Sequence, residues 1–333
     1  LPADLRARHH LIGIREAMQN IHHPEDAGKL DLARRRLVFE EFLFLQLALA
    51  MRKRALQDEK PGITFPLDPG FMERFESALP FQLTAAQRRV IEEIRADMGS
   101  PRAMNRLLQG DVGAGKTVVA MAAILTATDG GYQAALMAPT EILAEQHYLN
   151  LSSMLEPFGV EVQLLVGSVK QKGKQLVRER LADGRCQLVV GTHALIQESV
   201  TFKRLGLVII DEQHRFGVLQ RLELVQKGLN PDVLVMSATP IPRTLALTVY
   251  GDLDVSVIDE LPPGRKPVRT FWKQEKDRQA VYRGIERFIS QGRQAYVVCP
   301  LVEENERASA MAAEELYERL QGEAFPNRRA GLI

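Results

Sequence analysis

The run Gly110-Asp111-Val112-Gly113-Ala114-Gly115-Lys116-Thr117 satisfies the G-x-x-x-x-G-K-[ST] phosphate-loop pattern at every fixed position. Its glycines let the backbone turn tightly and aim N–H groups at phosphate oxygens, and a following helix N-terminus adds a favourable dipole. Lys116 then reaches the β- and γ-phosphates of a nucleoside triphosphate, and the Thr117 hydroxyl binds Mg²⁺. A second run, Leu207-Val208-Ile209-Ile210-Asp211-Glu212-Gln213-His214, sets four apolar residues, the pattern of a strand buried on both faces, before two carboxylates. Asp211 suits the metal and Glu212 suits the polarisation of an attacking water, although an Asp-Glu pair after a strand can also cap the next turn. A third run places Ser237-Ala238-Thr239-Pro240 behind Val233-Leu234-Val235-Met236. By itself this is a strand-to-turn transition.

These residues need an open α/β scaffold. A strand over Met104–Leu108 must lead into the phosphate loop, and a helix over Val118–Thr128 must follow it. Further strands are predicted near Ala134–Met137, Val162–Leu165, Leu188–Val190, Leu207–Ile210 and Val233–Met236, separated by helical stretches. That alternation predicts a mostly parallel sheet covered on both faces. Ahead of it lies a helical run from about Leu30 to Gln57, apolar on several sides, a pattern expected of a helix buried between units. Pro61, Gly62, Pro66, Pro69 and Gly70 then break the pattern as a linker. Leu261-Pro262-Pro263-Gly264 reads as a hinge, followed by strands near Val268–Trp272 and Ala295–Cys299, helices near Asp277–Gln291 and Ser309–Gln321, and the start of a further strand at Gly331-Leu332-Ile333.

The wording around the motifs is more specific than the motifs. Phe81-Gln82-Leu83-Thr84-Ala85-Ala86-Gln87, Ala138-Pro139-Thr140-Glu141-Ile142-Leu143-Ala144-Glu145-Gln146-His147, Gly191-Thr192-His193-Ala194-Leu195, Asp211 to Val218 and Met236 to Leu245 resemble the RecG family of bacterial superfamily 2 DNA helicases. The motor of transcription-repair coupling factors shares several of these words. It tends to have Val-Pro-Thr-Thr where this chain has Ala138-Pro139-Thr140-Glu141, and Glu-Gln where this chain has Gln213-His214.

The resemblance implies a RecA-like P-loop lobe over residues 76–262, a helical linker over 1–75, and the N-terminal part of a second RecA-like lobe, truncated, over 263–333. It implies ATP and Mg²⁺ as cofactors, and branched double-stranded DNA as the partner of a monomeric, cytoplasmic enzyme. Phe81 resembles the aromatic that packs on adenine, Thr84 lies in the same segment, and the Gln87 amide has the groups to pair with adenine. A core Phe and an exposed helical Gln are the plain alternatives. Thr140, Glu141, Gly191, Thr192 and His193, just past strand ends, are where the family contacts the DNA backbone. His214 and Arg215 would couple the nucleotide to Ser237, Thr239 and the DNA, although a polar network after a strand would contain the same residues. The family's later motifs, including arginines that stabilise the transferring phosphoryl group, are not found in the chain, which predicts slow hydrolysis.

Composition excludes little and fits this reading. The 43 basic and 42 acidic residues leave a net charge of +1, so DNA contact must rest on local patches such as Lys170, Lys172, Lys174, Arg178 and Arg180, or Arg265, Lys266, Arg269 and Lys273. Cys186 and Cys299 sit beside apolar runs and read as buried free thiols of a reducing compartment. No Cys/His cluster has zinc-ligand spacing, so His9-His10 and His22-His23 read as exposed or interdomain polar residues. The most apolar stretch, Phe42–Met51, is too short for a bilayer. A P-loop ATPase acting on protein or a small molecule, or a nucleotide-gated interaction module, would share the phosphate loop and Asp211 but leave Ser237-Ala238-Thr239 and the Gln87 segment unexplained.

Overall fold

The computed structural model describes residues 1–59, 61–211, 218–238, 253–262, 268–298 and 306–332, and divides into two compact units, Leu1–Arg265 and Lys266–Ile333. The first unit begins with α1 (Ala3–Arg8), α2 (Ile14–His22) and α3 (Ala27–Glu59), then α4 (Phe71–Ala78) and α5 (Ala85–Met98). Seven strands follow: β1 (Asn105–Gly110), β2 (Gln133–Met137), β3 (Val162–Leu165), β4 (Leu188–Gly191), β5 (Leu205–Asp211), β6 (Asp232–Ser237) and β7 (Asp254–Ile258). Between them lie α6 (Lys116–Asp129), α7 (Glu141–Leu155), α8 (Gln171–Asp183) and α9 (Val218–Val225).

The strands form one parallel sheet in the order β3-β4-β2-β5-β6-β1-β7. Side chains alternate across a strand, so each strand serves two cores. Leu108, Leu136, Val190, Leu207, Ile209 and Met236 face one core with α5, α6 and α7, while Met137, Val189, Val208 and Ile210 face the other with Val177 and Leu181 of α8 and Leu224 of α9. Helix α6 is buried without interruption from Val118 to Ala127, as its Ala-rich, all-round apolar sequence requires. The five strands expected behind the phosphate loop and the one ahead of it are all present. Strand β7 went unpredicted, because its alternation is short and its buried Ser256 resembles a loop residue.

Helix α3 departs from expectation. Among its described side chains Ala33 and Arg36 are buried, but Leu32, Val38, Phe42, Phe44, Leu45, Leu47 and Met51 are exposed. The reason is length. Its 33 residues span roughly 50 Å, whereas its main partner α2 has nine, roughly 14 Å, and can cover only one end. The second unit contains α10 (Arg278–Ser290) and α11 (Glu306–Arg319), and α10 is tied to the segment that follows α11 by Tyr282 against Phe325 and by Glu286 to Arg328 at 2.6 Å. The strands expected at Val268–Trp272 and Ala295–Cys299, and the strand start at Gly331, are not formed among the described residues. A strand is a ladder and needs a neighbour. Without one here, Val268, Phe271, Trp272, Tyr296 and Val298 stay exposed. Cys299 and Ile333 lie outside the described residues, whereas Cys186 is a buried free thiol as expected, its pKa pushed up to about 12 chiefly by burial. No helix among the described residues is long and apolar enough to cross a membrane.

A buried carboxyl closes the lower edge of the sheet. Asp232, fully buried at the start of β6, accepts the Met104 N–H at Oδ1 (2.7 Å), while Oδ2 has no hydrogen-bond partner among the described residues. Burial pushes this carboxyl up to about 8, opposed by the Met104 N–H and aided by Asp97. The folded chain therefore keeps a proton that the unfolded chain loses near pH 4, and stability falls as pH rises from about 4 to 8. Asp232→Asn cannot titrate. Chemical denaturation at pH 5, 6.5 and 8 should show the variant gaining on the parent by up to about 1.4 kcal/mol per pH unit, and a gap independent of pH would contradict the raised pKa.

Candidate functional site

The phosphate loop leaves β1 at Gly110 and enters α6 at Lys116. Gly113 and Gly115 hold φ of +75° and +90°, values that side chains with a Cβ rarely adopt. The Asp111 side chain accepts the Val112 N–H at 2.7 Å, and Ala114 N–H donates to Asp111 O at 3.0 Å, which winds the loop into a tight nest. Lys116 Nζ arches over the same loop and donates to Gly110 O (2.8 Å) and Asp111 O (3.1 Å). Its ammonium is thus held at the loop mouth, where phosphate oxygens would compete for it.

Thr84 and Gln87 form a capping box at the start of α5. Gln87 N–H donates to Thr84 Oγ1 (3.1 Å), and Gln87 Oε1 accepts Thr84 N–H (2.9 Å). Gln87 Nε2 also donates to Ala114 O at 2.8 Å, inside the phosphate loop. The amide expected to face adenine is therefore neither open nor an exposed helical Gln: the residue is 2% exposed and both ends of its amide are engaged within the fold. Phe81, by contrast, is 47% exposed just ahead of the cap and does not lie in the core. Helix α5 is fixed to β7 by Glu93 bonded to Ser256, by Arg89 to Asp259 (2.9 Å), and by Glu260 accepting Ala86 N–H (3.1 Å). Because β7 pairs with β1, Gln87 and the loop share one frame.

Asp211 ends β5 and Ser237 ends β6, both buried. Register sets Asp211 beside Met236 and Met236 beside Leu108, so Asp211 is level with Leu108, two residues before the end of β1, across two strand spacings or roughly 10 Å. Among the described residues no cluster of three or more His, Cys, Asp or Glu could hold a metal alone. Mg²⁺ at phosphates does not need one, since it takes one or two carboxylates and completes its shell with phosphate and water. The sequence did not single out His147, whose Nε2 lies 2.6 Å from Asp211 Oδ2. Its signal was spacing: seven residues beyond Thr140 place it on the face of α7 that carries the cap.

The other half of the edge holds the strand-end residues. Thr140 caps α7, its Oγ1 accepting Leu143 N–H at 3.3 Å. Glu141 Oε2 accepts Ser168 N–H at 3.3 Å, bracing the loop after β3. Its carboxyl is held below the usual range by Ser168 foremost, with the backbone N–H groups of Ser168 and Gly167 and nearby His193 adding to the effect. Gly191 is a close-approach glycine, because a Cβ there would lie 2.2 Å from Leu165 O. Thr192 is buried with no partner for its hydroxyl among the described residues, which leaves His193 as the exposed residue of the pair. Glu212, His214, Arg215 and Thr239 lie outside the described residues.

A family model for DEAD/DEAH box helicases matches residues 84–248, the stretch that holds the capping box, phosphate loop and Asp211. The ATP-dependent DNA helicase RecG of Synechocystis sp. is 52% identical over all 333 residues, and that of Bacillus subtilis is 51% identical over 320 residues. The chain belongs to the RecG helicase family. A solved structure of RecG bound to a three-way DNA junction matches 98% of the chain with a TM-score of 0.80 at 44% identity. The helicase MrfA, at 18% identity and a TM-score of 0.53 over 80% of the chain, shares the fold alone. The chain spans less than half the length of these RecG relatives, 40% and 47% for the two sequences and 43% for the structure. The family accounts for the RecA-like layout of the sheet.

Gly115 allows a direct check of the loop. A Cβ there would meet Gln87 Nε2 at 2.2 Å, on top of the φ of +90°. Gly115→Ala should therefore destabilise the first unit by roughly 1–3 kcal/mol. Adding Gln87→Ala should recover part of that loss, since the clash goes with the amide. Denaturant unfolding of the two single variants and the double variant tests this; additive losses would mean that the amide and the loop do not meet.

Proposed function

We propose that the chain is part of the ATP-hydrolysing motor of a RecG-type DNA translocase that acts on branched double-stranded DNA. The observation that carries this reading is the common edge: the phosphate loop, Asp211, and the loops bearing Thr140, Gly191 and His193 all lie at the C-terminal ends of one parallel sheet. In open α/β sheets ligands bind at that edge. In this reading residues 1–75 form a helical segment ahead of the motor, 76–262 the nucleotide-binding lobe, and 263–333 part of a second lobe.

The loop N–H groups between Asp111 and Lys116 and the N-terminus of α6 bind the phosphates of ATP, with Phe81 beside the base. Lys116 turns from Gly110 O and Asp111 O to the β- and γ-phosphates. Thr117 and Asp211 would hold Mg²⁺, which would supply positive charge against the phosphates. Glu212, the next carboxylate, orients the attacking water. His214 and Arg215 link that site to Ser237 and Thr239. Thr140, Gly191, Thr192 and His193 position the DNA through its phosphates, which carry no base identity, while Glu141 fixes the loop that borders them. A DNA partner suits a cytoplasmic protein, and all the residues invoked come from one chain, as in a monomer.

Titration calorimetry should give Mg²⁺–ADP binding by the parent chain, weakened about 10- to 100-fold by Lys116→Ala, because a charge-assisted contact to phosphate is lost. Equal affinities would remove the phosphate loop from the function. Fluorescence anisotropy with duplexes of unrelated sequence should give closely similar affinities that fall linearly, on logarithmic axes, as salt rises. Binding that ignores salt would argue instead for an ATPase that acts on protein or a small molecule.

A further inference from the structure

Asp211 is aimed by the pleat of its own strand. Leu207, Ile209 and Asp211 occupy one face of β5, the face covered by α5, α6 and α7, so the carboxylate rises into the layer of α7 rather than toward α8 and α9. There it meets His147. The imidazole Nε2 and Asp211 Oδ2 are 2.6 Å apart, and each side chain is 12% exposed, so the contact is sheltered from water. A carboxylate only accepts, which puts the hydrogen on Nε2 and commits Oδ2 to His147, while Oδ1 has no hydrogen bond among the described residues.

We propose that His147 is the positioning residue of the metal site: it fixes the Asp211 carboxylate so that Oδ1 faces the Mg²⁺ held with the nucleotide. The inference rests on the reading of Asp211 as a metal ligand. A carboxylate hydrogen-bonded from outside the coordination sphere loses less rotamer freedom on binding metal, and removing such a partner typically costs roughly 10- to 100-fold in metal affinity. The link also joins two parts of the edge. Helix α7 leaves β2 through the Thr140 cap and Glu141, so one helix carries two of the strand-end residues and the group that holds the metal carboxylate.

The test is a Mg²⁺ titration of the 333-residue chain with a fluorescent ADP analogue, read as the Mg²⁺ concentration that gives half of the metal-dependent gain in nucleotide affinity. Electron paramagnetic resonance of Mn²⁺ supplies a second readout that needs no turnover. His147→Phe keeps a ring but no donor and should raise the half-saturating Mg²⁺ about tenfold or more. His147→Asn, polar but too short to reach Asp211, should do the same. His147→Gln carries an N–H near the Nε2 position and should restore most of the loss, a rescue that a purely packing role would not give. Asp211→Asn separates the two readings. If it leaves the Mg²⁺ dependence unchanged, Asp211 is not a ligand and the underlying site reading fails. If it shifts the dependence while His147→Phe and His147→Asn do not, only the role of His147 is overturned. Tighter Mg²⁺ binding in His147→Phe would also overturn it, because His147 would then be competing with the metal for the carboxylate.

Discussion

A sheet whose strands all run the same way has to be covered on both faces, because each parallel strand returns through a crossover that packs against it. Here that requirement organises the first unit. Leu207 and Ile209 sit over one core, Val208 and Ile210 over the other, and the uninterrupted burial of α6 follows from its place in the covering layer. The same parallelism sends every strand end to one edge. Gly110, Met137, Leu165, Gly191, Asp211 and Ser237 finish there, and the loops that follow them inherit a shared surface although they are up to 127 residues apart in the chain.

The edge is supported from behind by polar contacts of long sequence range. Gln87 joins the α5 cap to Ala114 in the phosphate loop, and α5 is in turn fixed to β7 through Glu93, Arg89 and Glu260. A glycine-rich loop is entropically costly to order, and contacts from a neighbouring helix offset that cost before any ligand arrives. Gln87 is therefore part of the loop's frame, which makes α5 and the phosphate loop one mechanical unit within this lobe.

Two aspartates at opposite ends of the sheet show how location sets the use of a carboxyl. Asp232, at the edge where β6 begins, is closed off, has one backbone donor, and is pushed up to about 8 by burial. Asp211, at the edge where β5 ends, has a side-chain partner in His147 and lies beside the loops. The first is a structural group that weakens the fold as it ionises. The second sits where a carboxylate can be shared with a ligand.

The order of strands and helices behind the phosphate loop was legible in the sequence because a doubly covered strand and a buried helix must each be apolar in a recognisable period, and residues 105–237 follow that rule closely. The phosphate loop and Asp211 were legible for a related reason: binding phosphate needs glycine and lysine at set spacings, and a carboxylate ending an apolar strand is conspicuous. What the sequence could not state was which groups meet. The pairing of His147 with Asp211 depends on β2 and β5 being neighbours and on α7 covering one face. The capture of Gln87 by Ala114 depends on β7 holding α5 beside β1, and the exposure of α3 depends on α2 being too short to cover it. Apolar period is a property of each segment alone, whereas contact, burial of polar groups and strand pairing belong to pairs of segments, so only the tertiary structure decides them.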